Sequence, residues 1–138
     1  MSTTARPDKT ILVVEDDPWI RSLMADLLAG EGYVVVQASD GKAGLEMAEE
    51  SDPDVILLDL AMPNLNGYDA AGRIRELSWG RDVAIIALTG WAQAANRDRT
   101  LDAAFDAHLV KPVSIDELLD ALSKLKPGQA GADTGALR

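Results

Sequence analysis

The chain has 138 residues, 47% apolar and 26% charged, an ordinary balance for one globular domain that buries a core without staples. Its 23 acidic against 13 basic residues give a net charge of −10, which repels nucleic-acid phosphates and anionic lipid and argues against direct DNA binding. Cysteine is absent, excluding disulfides, thiolate metal sites and thiol nucleophiles, and neither an apolar leader in Met1 to Lys9 nor a run near the roughly 18 residues of a membrane span is visible, so a cytoplasmic chain without a membrane partner is expected.

Five β-like runs follow in order: Thr10–Val14, Tyr33–Gln37, Val55–Leu58, Val83–Leu88 and Ala107–Val110. They are continuously apolar instead of alternating, as parallel strands covered on both faces should be. A helix is expected between the first two, with Asp17 as cap, Pro18 at the first position, an apolar stripe of Ile20, Leu23, Met24, Leu27 and Leu28, and Gly30 and Gly32 at its end. Trp19, on the edge of that stripe, reads equally as packing or as a partner contact. A second helix, about Lys42 to Glu50, follows the Ser39-Asp40 cap. Ala70, Ala71, Ile74 and Leu77 stripe a third.

A fourth helix, about Trp91 to Ala103, has a thin apolar face among Asn96, Arg97, Asp98, Arg99 and Asp102, and is expected to be the least firmly anchored. A fifth opens with a capping box, Ser114-Ile115-Asp116-Glu117, and continues with Leu118, Leu119, Leu122 and Leu125. The expected organisation is a flexible segment over 1–8, one domain over 9–126 and a disordered tail over 127–138. Strand–helix alternation implies an α/β fold, a doubly wound (βα)5 flavodoxin-like parallel sheet in the order 2-1-3-4-5. That order sets the first and third strands side by side.

The chemistry gathers at the strand ends. The first run stops in Glu15-Asp16-Asp17, the third in Asp59, the fourth in Thr89 and the fifth in Lys111-Pro112. In such sheets the ligand crevice lies beyond the carboxyl ends of the strands. Clustered carboxylates repel one another, and oxygen ligands without His or Cys select Mg²⁺ or a similar hard ion, which favours a phosphate as a further ligand. Asp17 reads mainly as a helix cap. Lys111 offers a point charge for Asp59 or for a phosphoryl group, and Thr89 offers a hydroxyl. Carboxylate nucleophile, divalent ion, lysine and hydroxyl are the parts needed to make an aspartyl phosphate.

These residues carry a family likeness. Ile11-Leu12-Val13-Val14-Glu15-Asp16-Asp17-Pro18, Asp59-Leu60-Ala61-Met62-Pro63 with Gly67, Ala87-Leu88-Thr89-Gly90 and Lys111-Pro112-Val113 together resemble a response-regulator receiver domain of the two-component systems, over about residues 9 to 126. The resemblance implies that Asp59 is the phosphoacceptor, that Asp16 and the Ala61 backbone carbonyl join it in binding Mg²⁺, and that Glu15 supports the metal through water. It implies that Lys111, before a cis Pro112, holds the phosphoryl group and that Thr89 moves to bond it. The donor would be a phosphohistidine on a histidine kinase or a histidine phosphotransfer protein, and the receiver would catalyse only its own phosphorylation and slow dephosphorylation. Output would be a switched surface for an unknown downstream protein, centred on the fourth helix, fifth strand and fifth helix.

Three positions depart from the family pattern. Glu15 stands where Asp is usual; His108 occupies the place of a switching Tyr or Phe; Trp91, opposite the small Ala61, sets a large ring beside the pocket, where it would shield the phosphoryl group from water. Other readings fit less well. A haloacid-dehalogenase-type phosphatase needs a second acid where Ala61 stands, and a flavodoxin-like cofactor site would not place Glu15-Asp16-Asp17 against a phosphate. A receiver that docks without phosphorylation remains the alternative. Either a stand-alone regulator or the receiver of a hybrid histidine kinase accommodates the sequence.

Overall fold

The computed structural model describes residues 9–60, 67–77, 83–90 and 105–125. The expected fourth helix, the loop after Leu60, Trp79 and both terminal segments lie outside them.

Five strands, β1 (Thr10–Val14), β2 (Val34–Ala38), β3 (Val55–Asp59), β4 (Ala84–Thr89) and β5 (Ala107–Val110), form one parallel sheet in the order β2-β1-β3-β4-β5. This is the doubly wound α/β architecture expected. β1 and β5 begin and end where the sequence places them. β2 starts one residue late because Tyr33 N–H turns back to Leu28 O, closing the preceding helix instead of joining the ladder. β4 also starts one residue late. The Ala84 N–H joins the sheet through Asp54 O, while the Val83 carbonyl is taken by the Arg75 guanidinium. β3 runs one residue further than expected, so Asp59 is itself paired in the ladder, opposite Leu88.

The helices among the described residues are α1 (Pro18–Gly30), α2 (Gly41–Ser51), α3 (Gly67–Glu76) and α4 (Ile115–Ser123), the last being the fifth helix of the sequence reading. Asp17 caps α1, accepting from the Trp19 and Ile20 N–H groups, and Asp40 caps α2 through Ala43 N–H. The Ser114–Glu117 capping box of α4 is present in both directions. The α1 stripe is narrower than expected. Met24, Ala25 and Leu28 are buried, whereas Leu23 and Leu27 lie on the flank, exposed by 43% and 40%. Full two-sided burial holds for β3 and β4 and nearly so for β1, but not for β2 or β5, which are the sheet's edges.

Side-chain alternation along each strand divides the core into two layers. On one face Leu12, Val14, Ile56, Leu58, Ile85 and Ala87 pack with Ala70, Ala71 and Ile74 of α3 and Ala48 of α2. On the other, Ile11, Val13, Leu57, Ile86 and Leu88 pack with Met24 and Leu28 of α1 and Leu118 and Ala121 of α4. α2 approaches β1 so closely that a Cβ on Gly44 would meet Val14 side-chain carbons at 3.0 and 3.2 Å. Both layers stop at the carboxyl ends of the strands, where the apolar residues give way to acids.

Candidate functional site

Glu15, Asp59 and Thr89 are the buried polar residues of the described core, each 1% exposed. All three stand at strand ends: Glu15 directly after β1, Asp59 closing β3 and Thr89 closing β4. Because β1 and β3 are neighbours in register, Val14 opposite Leu58, the next residues Glu15 and Asp59 arrive side by side. Carboxylate oxygens of Glu15, Asp16 and Asp59 lie within 4.8 Å of one another. Asp16 is exposed, so two buried acids and one exposed acid form a cluster open to solvent on one side.

Lys111 enters from the far side, one residue past β5, after the Lys111 N–H extends the β4–β5 ladder to Thr89 O at 2.7 Å. Its ammonium is 2.8 Å from Glu15 Oε1 and 3.2 Å from Asp59 Oδ2. The following peptide bond to Pro112 is cis. Burial pushes the Glu15 carboxyl up to about 7; the Lys111 hydrogen bond opposes this and the Asp59 charge adds to it. For Lys111, burial works against the charge, but the hydrogen bond to Glu15 and the charges of Asp59 and Glu15 outweigh it and raise the ammonium above its ordinary value.

Thr89 is tied loosely. Its hydroxyl donates to Leu109 O at 3.5 Å, the outer limit of a hydrogen bond. His108 lies in β5 opposite Ala87, its ring meeting Phe105 edge-on at 5.1 Å. Asp17 serves as the α1 cap, as expected, and donates its N–H to Glu15 Oε2 at 3.2 Å. The Ala61 carbonyl and Trp91, also expected at the site, lie outside the described residues. One contact escapes the sequence reading: Arg21 Nη1 donates to the Glu15 carbonyl oxygen at 2.8 Å. Its signal was available, a cation one turn into a helix that starts directly beside the acids.

The donor set suits a hard divalent cation. It offers carboxylate oxygens alone, from three residues that already converge, with an open side on which such an ion keeps its waters. Crowded negative charge, one shared ammonium and a nearby loosely bonded hydroxyl make an acceptor for an electrophilic phosphoryl group, with the charge compensation that transfer requires.

Comparison with known proteins agrees with this geometry. The family described as response regulator receiver domain matches residues 11–123. A 14.6 kDa protein of Leptolyngbya boryana is 40% identical over 119 residues, covering 86% of this chain and 89% of that one. The transcriptional regulatory protein PdtaR of Mycobacterium tuberculosis is 38% identical over 115 residues, covering 83% of this chain; the chain spans 55% of PdtaR's length. Among solved structures, the response regulator TrrA of Thermotoga maritima in complex with Mg²⁺-BeF superposes with a TM-score of 0.76 at 36% identity, covering 86% of this chain and all of TrrA. TrrA bound to the histidine kinase ThkA gives a TM-score of 0.73, covering 85% of this chain and 97% of TrrA.

Proposed function

The chain belongs to the response-regulator receiver family, and from that membership we propose how its residues divide the work of a phosphorelay. The protein takes a phosphoryl group from a phosphohistidine onto Asp59, with Mg²⁺ as cofactor, and the modification switches a surface for a partner. The observation that carries this reading is the convergence of Glu15, Asp16 and Asp59 on one another and of Lys111 on two of them.

In the transfer, an Asp59 carboxylate oxygen attacks phosphorus as the donor's P–N bond breaks, and the electron pair of that bond leaves with the imidazole nitrogen. An acyl phosphate results. Asp16 and Asp59, with Glu15 behind them, would hold Mg²⁺, together with the Ala61 carbonyl that the family resemblance implies, and the ion would supply charge neutralisation between the acids and the incoming phosphoryl group. Lys111, already against Asp59, follows the negative charge onto the phosphoryl oxygens. Thr89 turns its loosely held hydroxyl toward them, and the β4–β5 edge with His108 readjusts. The protein is thus its own substrate, catalysing its phosphorylation and a slow hydrolysis, and the exchange takes place in the cytoplasm.

The donor is a histidine kinase or a histidine phosphotransfer protein, a reading supported by the TrrA–ThkA pair. Its docking face is the exposed side of α1. Trp19, Leu23 and Leu27 follow one another at one-turn spacing, exposed by 72%, 43% and 40%, beside the acids they must present to the donor. Incubating the protein with a small phosphodonor and Mg²⁺ tests the assignment. Wild type gains one acid-stable, base-labile phosphoryl group and Asp59→Asn gains none; incorporation that persists in the Asn variant refutes it.

A further inference from the structure

Each polar group of Glu15 meets a partner, three by hydrogen bond and Oε1 by ion pair. Its N–H donates to Ala38 O at 3.1 Å, its Oε2 accepts from Asp17 N–H at 3.2 Å and its Oε1 faces the Lys111 ammonium at 2.8 Å. The fourth contact, from Arg21 Nη1 to the carbonyl oxygen at 2.8 Å, differs in what it controls. That oxygen and the Asp16 N–H belong to one rigid peptide plane. Holding the oxygen restrains the plane, and with it the position of the Asp16 Cα from which the side chain departs. Asp16 is exposed, so packing does not hold it as it holds Glu15, yet its carboxylate stays within 4.8 Å of the other two.

Arg21 is itself well anchored. Its backbone N–H donates to Asp17 O at 2.9 Å, and Asp17 ties down the Trp19 and Ile20 N–H groups as helix cap. The turn between Glu15 and α1 is therefore stapled from both ends, and the guanidinium is the strut across it. Its contact is with the carbonyl; the side chains that act on the Glu15 carboxylate are Lys111 and Asp59. A cation beside a metal site would oppose metal binding through its charge. A cation that orients the metal's ligands aids binding through geometry, and the bond to a carbonyl is the geometric kind.

We propose that Arg21 is a positioning residue for the magnesium site, holding the Glu15–Asp16 peptide so that Asp16 converges with Asp59. The inference rests on the reading of Glu15, Asp16 and Asp59 as the Mg²⁺ site. Outer partners of metal ligands typically govern affinity by about 10- to 100-fold, and for one such bond we expect the lower end.

Calorimetric titration of Mg²⁺ into the metal-free full chain tests this, with thermal unfolding of the same samples to show that each is folded. Arg21→Met keeps the aliphatic stem and removes the donor, and its Mg²⁺ dissociation constant rises on the order of tenfold. Arg21→Lys, which keeps the charge and one donor nitrogen but loses the planar guanidinium, falls between that variant and wild type. Arg73→Met removes the same charge from the exposed side of α3 and does not weaken binding. Since loss of a nearby cation by itself tightens Mg²⁺ binding, affinity equal to or better than wild type in Arg21→Met overturns the proposal. Should that variant be unfolded, Arg21→Lys decides by the same criterion. Failure of wild type to bind Mg²⁺ overturns the metal assignment itself, a result distinct from wild-type binding that Arg21→Met retains unchanged.

Discussion

Lys111 stands closer to Glu15, at 2.8 Å, than to Asp59, at 3.2 Å. Before a phosphoryl group arrives, the lysine is thus held most tightly by the carboxylate that is not modified. Glutamate has one methylene more than the aspartate usual at this position, and that reach helps it meet the lysine from the end of β1, although β3 and β4 lie between β1 and β5 in the sheet. On the proposed reading, phosphorylation of Asp59 would concentrate negative charge on the other partner and draw the ammonium from one to the other.

The strain of burying Glu15 shows in its dependence on pH. Its carboxyl is raised from 4.5 to about 7 in the folded chain, first by burial, so the native state keeps the proton to higher pH than the unfolded state does. The stability linked to that proton is fully present below 4.5 and is lost as the pH climbs from 4.5 to about 7. In chelator, Glu15→Gln flattens the decline of unfolding free energy across this interval, as measured by urea titration at several pH values. Parallel curves for the two proteins would count against it.

Thr89→Ala separates switching from stability. The hydroxyl forms only a 3.5 Å bond to Leu109 O, so its removal costs about 1 kcal/mol or less in urea unfolding. Chemical-shift changes of the β5 amides on adding beryllofluoride and Mg²⁺, large in wild type, should shrink in the variant. A full response in Thr89→Ala would show that the hydroxyl is not the link.

Trp19→Ala tests the α1 face. With 72% of its surface exposed, Trp19 contributes little to the core, and the unfolding free energy changes within about 0.5 kcal/mol. Phosphotransfer from the cognate phosphorylated kinase slows about tenfold, as loss of an aromatic anchor would cause, relative to transfer from a small phosphodonor. Equal slowing with both donors would place Trp19 in the chemistry instead of in docking.

At the opposite end of the sheet, Asp106 joins three elements. One of its oxygens accepts from Ile85 N–H at 2.8 Å and from Arg75 Nη2 at 3.0 Å, tying α3 and β4 to the start of β5. Asp106→Ala lowers stability by about 2 kcal/mol because it strands a β4 amide. Asp106→Asn, which keeps an acceptor for that amide, costs about half as much, and urea unfolding distinguishes the two.

The strands and their order were legible because apolar runs and helix signals alternate strictly, and the acids were legible because strand ends are where such a sheet places ligands. What escaped was set by hydrogen bonds that pattern does not record. The Tyr33 amide is claimed by the end of α1, the Val83 carbonyl by Arg75 and the Glu15 carbonyl by Arg21. On α1, the small Ala25 is buried while the larger Leu27 is exposed, since a helix face is chosen by geometry and not by side-chain size. The roles foreseen for Ala61 and Trp91 fall outside the described residues.

The two core layers have a consequence for how a change at one residue travels. Following the alternation, Asp59 continues the row of Val55 and Leu57, toward α1 and α4, whereas Thr89 continues the row of Ile85 and Ala87, toward α2 and α3. The sheet backbone lies between the two layers of the interior. On the proposed reading, a bond from Thr89 to a phosphoryl group carried by Asp59 would stitch the two layers together around the rim, so a single acyl phosphate would link side chains that face opposite sides of the sheet.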